Sequence, residues 1–107
     1  MNEHTRQFVE GQIRQGIDET VTYQLETSTW SGTTRSSPAV TVYEYGPPDK
    51  YTDVSSTVSS GVPIVAGTVI TFTLTAIGLN KTYRVEVKWT NENSEIFEAW
   101  GELQGER

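Results

Sequence analysis

The sequence predicts an all-β domain folded as a β-sandwich. Thr and Ser together occupy nearly a quarter of the chain, and these residues favour strands and turns respectively. Six or seven short runs alternate apolar and polar side chains, with turn signals about every ten residues. After residue 19 no run has the spacing of a helix. This combination is typical of a sandwich, and a small closed barrel is the alternative.

Size and charge exclude several classes of protein. The 107 residues make one domain of ordinary size. The chain has no cysteine, which excludes disulfides, thiol catalysis and cysteine-bound metals. The net charge of −6 repels phosphate backbones, so nucleic acid is not an expected partner. The polar first residues lack the apolar stretch of a signal peptide, and no run is long enough to span a bilayer, so no membrane partner is expected.

Residues 1–19 differ in composition from the rest and predict an N-terminal docking arm. Four apolar residues would share one face of a short helix: Phe8, Val9, Ile13 and Ile17. A free helix of this length is marginal in water, so the arm should order only against another surface. Two interpretations stay open, an arm that grips a neighbouring subunit and an arm that folds onto its own domain or frays. The sandwich domain is predicted to span residues 20–107.

The first half of the domain alternates in three places. Residues 20–26 predict a strand, and the Ser/Thr-rich loop that follows carries Trp30. Residues 38–45 predict a second strand, which ends at a Gly-Pro-Pro breaker. Residues 51–58 predict a short edge strand.

The second half has the clearest alternation. Residues 69–76 and 83–90 place apolar side chains on one face. Residues 91–94 predict a hairpin turn, and 96–103 predict the last strand. That strand presents Phe97, Ala99 and Leu103 to one side.

The segment 70–89 resembles the region between strands E and F of fibronectin type III and related immunoglobulin-like domains. The matching residues are Gly78, Leu79, Thr82, Tyr83, Val85 and Val87. The resemblance implies an immunoglobulin-like antiparallel β-sandwich of about seven strands. It also implies a tyrosine corner, in which the Tyr83 hydroxyl binds the main chain near Leu79 and both residues fasten the two sheets together.

A second resemblance covers more of the chain. The matching motifs are, in order, Trp30-Ser31-Gly32, Val40-Thr41-Val42-Tyr43, Thr52-Asp53-Val54-Ser55-Ser56, Gly67-Thr68-Val69-Ile70, residues 78–87 and Phe97-Glu98-Ala99. Their order is similar to that of small immunoglobulin-like accessory virion proteins of tailed bacteriophages and prophages. The resemblance implies a protein made in the host cytoplasm and built into the virion as a capsid decoration, neck protein or fibre-to-tail adaptor. Its partners would be capsid, neck or tail proteins, with a homo-oligomer left open.

Candidate catalytic and metal-binding groups are sparse. The one histidine, His4, lies in the arm, which is a poor place for a catalytic triad. Glu98 and Glu102 are about 13 Å apart on one strand face, too far for a glycosidase pair. The carboxylates near Asp53 lack the spacing of a calcium loop. We therefore expect no enzyme, no cofactor and no metal.

Aromatic side chains remain as candidate contacts. One sandwich core does not accommodate all of Trp30, Tyr43, Tyr45, Tyr51 and Trp100. Exposed aromatic groups bind proteins or stack on sugars. We favour protein contacts through the arm and through Trp30, Tyr45 and Trp100, with a carbohydrate-binding module as the alternative.

Overall fold

The computed structural model of the protein describes residues 5–30, 32–46 and 50–107, and residues 5–12 by their backbone alone. In these ranges the chain forms eight strands and one helical turn. They are β1 (Thr5–Gly16), β2 (Val21–Glu26), β3 (Ser36–Gly46), β4 (Lys50–Asp53), α1 (Ser55–Val58), β5 (Ser59–Ala66), β6 (Val69–Leu74), β7 (Thr82–Thr90) and β8 (Ile96–Glu106). In this part of the chain no helix is long and apolar enough to cross a membrane.

The strands form two sheets that pack face to face. One has five strands in the order β1-β8-β7-β3-β4, and the other has three in the order β2-β6-β5. All pairs are antiparallel except β1 with β8, which run parallel. The predicted β-sandwich is confirmed, with one strand more than expected and one parallel pair.

The N-terminal segment forms β1 rather than a short helix, so that part of the prediction is wrong. Residues 5–7 and 12–16 pair with β8, with a register shift between them. The spacing of Val9, Ile13 and Ile17 would suit a helix, but a lone helix of that length is only marginally stable in water. The edge of β8 offers hydrogen-bond partners for the backbone, so the segment forms a strand instead. Whether residues 1–19 also dock on another molecule stays a prediction.

Gln15 fixes the end of β1 to the sandwich. Its side chain is buried, and its amide nitrogen donates to the carbonyl oxygens of Leu74, at 2.9 Å, and Glu19, at 3.0 Å. Its carbonyl oxygen accepts the Tyr23 hydroxyl at 2.7 Å. A buried amide with both ends bonded is specific for one strand register, so β1 is an integral strand of the domain.

The core lies between the sheets and contains the alternating residues that the sequence singled out. Tyr83, Val85, Val87 and Trp89 of β7 are buried. Trp30 is buried too, and its ring packs edge-on against Trp89 with centroids 5.5 Å apart. The expectation that Trp30 is exposed is therefore wrong. Its loop is polar, but the indole points inward and packs on Trp89. The sequence does not indicate this contact because the two residues are far apart along the chain.

The expected edge strand 51–58 is interrupted. β4 ends at Asp53, whose Oδ1 accepts the Ser55 amide at 2.9 Å and the Ser55 hydroxyl at 2.6 Å. An Asp side chain that caps the backbone two residues ahead favours a turn. The helical turn α1 follows, and Val58 at its end is buried.

The tyrosine corner is present. The Tyr83 hydroxyl oxygen accepts the Gly78 amide at 2.7 Å, just ahead of β7. Leu79 does not share in fastening the sheets, because it is 40% exposed. The buried apolar residue on this side of the corner is Ile77, two positions earlier than expected.

Replacing Tyr83 by phenylalanine is expected to lower the free energy of unfolding by about 1–3 kcal/mol, because the Gly78 amide loses its acceptor while the ring still fills the core. Urea unfolding at neutral pH measures this change. The matched control is Tyr51→Phe, since Tyr51 is 54% exposed, and its midpoint should stay near that of the unsubstituted protein. Equal midpoints for both variants would contradict a stabilising corner.

Candidate functional site

The outer face of the five-stranded sheet gathers most of the aromatic residues that the core does not use. Strand alternation turns Val42, Val85 and Ala99 inward, where they are almost fully buried. Their neighbours along each strand therefore turn outward. We call this surface the aromatic face, and its residues are Tyr43, Tyr45, Tyr51, Arg84, Glu86 and Trp100.

Strand register sets the neighbours on the aromatic face. Tyr45 of β3 lies opposite Tyr51 of β4, and their ring centroids are 5.2 Å apart. Tyr43 lies opposite Arg84 of β7 on one side and Asp53 of β4 on the other. Cross-strand pairs of this kind are in direct side-chain reach. Tyr43 and Tyr45 are two positions apart on β3 and therefore point to the same face, so the three tyrosines share one patch.

Arg84 links the tyrosines to Trp100. Its Nε donates to Glu86 Oε2 at 2.7 Å, and its guanidinium carbon lies 4.3 Å from the centroid of the Trp100 ring. A cation over an indole face is attracted by the ring, and the carboxylate fixes the guanidinium plane. The Arg84 side chain is therefore held in one position by these two contacts.

A cleft opens beside this cluster. Tyr43, Tyr51, Arg84 and Glu86 line a depression of about 280 Å³. Burial, and then the negative charges of Glu86, Asp53 and Glu98, raise the pKa of Tyr43, and only Arg84 opposes this effect. Tyr43 therefore lies in a surrounding with more negative than positive charge.

Of the partner-binding residues predicted from the sequence, the structure brings together only two among those whose side chains it describes. Tyr45 and Trp100 share the aromatic face. Trp30 is in the core, and Ile13 is partly buried against that core. Ile17 follows β1, and its amide donates to the carbonyl oxygen of Glu106, the last residue of β8, at 2.8 Å.

Four more residues bear on how well the sequence predicted the site. The side chains of Phe8 and Val9 lie outside the described residues. The sequence pattern does not single out Arg84 and Glu86, yet both line the cleft. The available signal was Tyr43, whose outward direction on β3 follows once Val42 is assigned to the core.

Metal-binding groups are not gathered on the aromatic face. Among the described residues, no group of three or more histidine or carboxylate side chains is placed to hold a metal ion. The aromatic face presents aromatic rings, the guanidinium of Arg84 and several carboxylates, and these groups are suited to binding another molecule.

Comparison with known proteins bears on the fold. Twenty-seven chains of solved structures match this protein, and one of them is a structure of murine CRIg. It superposes with a TM-score of 0.53 at 10% sequence identity, over 89% of this chain and 90% of that chain. The fold is immunoglobulin-like. Neither the models of known protein families nor the curated protein sequences give a match.

The immunoglobulin-like assignment fits the strand order. By the usual lettering, β8, β7 and β3 take the places of strands G, F and C, and β4 follows as C′. The strands β2, β6 and β5 take the places of B, E and D. The tyrosine corner then lies at the start of strand F, where this fold commonly has it.

One end of the domain is closed by Glu92 in the turn between β7 and β8. Its carboxylate accepts the Thr33 amide at 3.0 Å and the Thr34 amide at 3.2 Å. The Glu92 amide itself, and then those of Thr33 and Thr34, lower the pKa of Glu92 to about 2. This carboxylate therefore ties the loop that carries Trp30 to the β7–β8 turn.

Replacing Glu92 by glutamine is expected to change how stability depends on pH. An unfolded glutamate titrates near pH 4.3, so the depressed folded pKa stabilises the folded state above that pH. This contribution is lost as the pH falls toward 2. Urea unfolding at pH 6 and at pH 2.5 should therefore show a difference between the unsubstituted protein and Glu92→Gln that shrinks at the lower pH. A difference of constant size would contradict the account.

Proposed function

We propose that this chain is a non-enzymatic structural protein of a bacteriophage virion, made in the host cytoplasm, that docks on another virion protein through the aromatic face. The order of the sequence motifs supports the phage origin. The observation that carries the docking role is the outward cluster of tyrosine, tryptophan and arginine on a rigid sheet. These residue types dominate the binding energy of protein interfaces.

The geometry of the aromatic face suits a protein contact. Arg84 is held by Glu86 and Trp100, so little side-chain freedom remains to be lost when a partner covers it. Tyr51 is 54% exposed and stands on the edge strand, where a partner can reach it. A face preordered in this way binds with a smaller entropic cost than a set of extended side chains.

Capsid decoration, a neck position and a fibre-to-tail adaptor all suit such a module. Each site in a particle recurs by symmetry, so an oligomer of the chain would bind several sites at once and strengthen weak single contacts. Residues 1–19 would add contacts beyond the strand pairing of β1, and self-association in a ring is compatible with the same face.

The test is whether the chain is present in particles. Cells that carry its gene are induced to release phage, the particles are purified on a density gradient, and their proteins are identified by mass spectrometry. We expect peptides of the chain to peak with the capsid proteins. Full recovery of the chain in the soluble fraction, with none in the particles, would reject the proposal.

The cleft favours a second candidate, a carbohydrate-binding module. Tyr43 and Tyr51 offer ring faces, and Arg84 and Glu86 offer a donor and an acceptor at its wall. Trp30 contributes nothing to such a site because it is buried. Reproducible binding to one sugar class on a glycan array, lost in Tyr51→Ala, would place this function ahead of docking.

A further inference from the structure

We propose that the cleft between Tyr43 and Tyr51 receives one cationic side chain, a lysine or an arginine, from the protein on which the domain docks. The inference rests on the proposed function in that it takes the ligand to be part of a protein. It goes further by naming the chemistry that this part of the aromatic face selects.

The size of the cleft suits a single side chain. A volume of about 280 Å³ is too small for a helix, which is about 10–12 Å wide with its side chains. Tyr43 lies partly buried in the sheet, and Tyr51 stands more exposed on the edge strand. A long side chain can enter from the solvent side and lie along both rings.

The charge around the cleft selects a cation. Glu86, Asp53 and Glu98 all act on Tyr43 with negative charge, against the single positive charge of Arg84. Arg84 is already bound to Glu86 at 2.7 Å and stacked on Trp100. Lys88 lies opposite Glu98 in the β7–β8 register. Asp53, which lies opposite Tyr43 in the β3–β4 register, leaves an excess of negative charge beside the cleft, in keeping with the net charge of −6 for the chain.

The remaining basic residues near the edge do not reverse this balance. Lys81 is engaged with Glu44 at 3.3 Å. Lys50 pairs with Gly46 in the β3–β4 register, one position from Tyr51, so strand alternation sends it to the opposite face.

The groups in the cleft can hold a cation by two complementary contacts. The faces of Tyr43 and Tyr51 attract a positive charge through their ring electrons. The Glu86 carboxylate engages Arg84 through Oε2, and a carboxylate accepts more than one donor. A guanidinium or an ammonium group would therefore find both an aromatic wall and an acceptor. Charge complementarity of this kind sets partner choice and association rate.

The test uses the full ¹⁵N-labelled chain and four small probes at low ionic strength. N-acetyl-arginine amide and N-acetyl-lysine amide carry the cation. N-acetyl-citrulline amide has the shape of the arginine probe without its charge, and N-acetylglucosamine represents a sugar. We expect the two cationic probes alone to shift the resonances of Tyr43, Tyr51 and their strand neighbours, with an effect that salt weakens.

Variants locate the binding in the cleft. Tyr51→Ala should weaken the arginine probe about two- to fivefold, as expected for one exposed cation–π contact, and Glu86→Gln should also weaken it. Ile64→Ala is the control, since Ile64 is 63% exposed on β5 of the other sheet, and it should leave binding unchanged. An unaltered spectrum away from the substitution confirms that each variant is folded.

The possible outcomes separate this inference from the proposed function. Equal shifts with the citrulline probe, no shift with any probe, or shifts with the sugar alone would each overturn the cation site. Particle association is measured independently. A chain found in particles without cation binding refutes the site only, whereas cation binding by a chain absent from particles supports the site and refutes the virion role.

Discussion

Replacing Trp89 by alanine is expected to lower the free energy of unfolding by about 3–5 kcal/mol, the usual cost of removing a buried large aromatic side chain. Trp89 is 0% exposed. Its ring meets Trp30 edge-on at 5.5 Å and stacks on Phe97 at 6.0 Å. It thus joins the loop after β2 to the first residues of β8, and its loss leaves a cavity at the centre of the core.

Urea or thermal unfolding measures this effect, and Ile96→Ala is the matched control. Ile96 is the residue before Phe97 on β8 but is 57% exposed, so its truncation should change stability by less than about 0.5 kcal/mol. A loss for Trp89→Ala no larger than that of the control would show that the tryptophan pair does not hold the core. Since single domains have about 5–15 kcal/mol of stability in total, the variant should also melt at a markedly lower temperature.

Replacing Gly105 by alanine is the second change with a large expected effect. The added Cβ would overlap the Gly78 carbonyl oxygen and approach Ile77 Cγ2 to 2.7 Å. The Gly105 amide also donates to the Lys81 carbonyl at 2.9 Å, and its carbonyl accepts the Asn80 amide at 3.1 Å. The end of β8 therefore lies directly against the loop of the tyrosine corner, and backbone on both sides must move to admit a methyl group.

We expect Gly105→Ala to destabilise the protein by about 1–3 kcal/mol, as overpacking typically does. Gly46→Ala is the control, because among the described residues the nearest atom to its added Cβ is the Lys50 carbonyl oxygen at an ordinary 3.7 Å. Differential scanning calorimetry of the two variants provides the comparison. Equal melting temperatures would mean that β8 does not approach the corner as closely as described.

The sequence predicts best where structure follows from neighbours along the chain. The alternation of Tyr83 to Trp89 identifies the inner and outer faces of β7, and the position of Tyr83 after its turn predicts the corner. The two faces follow from the two-residue alternation of side chains along a strand, and the corner follows from the local geometry of the turn before Tyr83.

Prediction fails where the deciding contact is distant in sequence. The spacing of Ile13 and Ile17 suits a helix, but the available edge of β8 makes the segment a strand. Trp30 lies in a polar loop, and it is buried because its ring packs on Trp89, which is far along the chain. Leu79 matches the motif of fibronectin type III and related domains, yet the buried residue beside the corner is Ile77.

The candidate site shows the same limit. The sequence indicates that one core does not accommodate every aromatic residue, and Tyr45 and Trp100 do lie on the outer face, where both are half-buried. Arg84 lies between Tyr43 on β3 and Trp100 on β8. This placement depends on the register of β3, β7 and β8, which the local sequence pattern does not contain. The cleft is a product of that register.

The central claim is that the aromatic face attaches the domain to a virion, and incorporation of paired variants tests it most directly. Particles are produced with the unsubstituted chain, with the Tyr51→Ala/Trp100→Ala double variant, or with Ile64→Ala on the other sheet. The amount of chain per capsid protein is then measured by quantitative mass spectrometry. We predict a loss of at least about tenfold for the double variant, as two interface hot spots imply, with Ile64→Ala unchanged. Equal incorporation of all three chains would contradict the account.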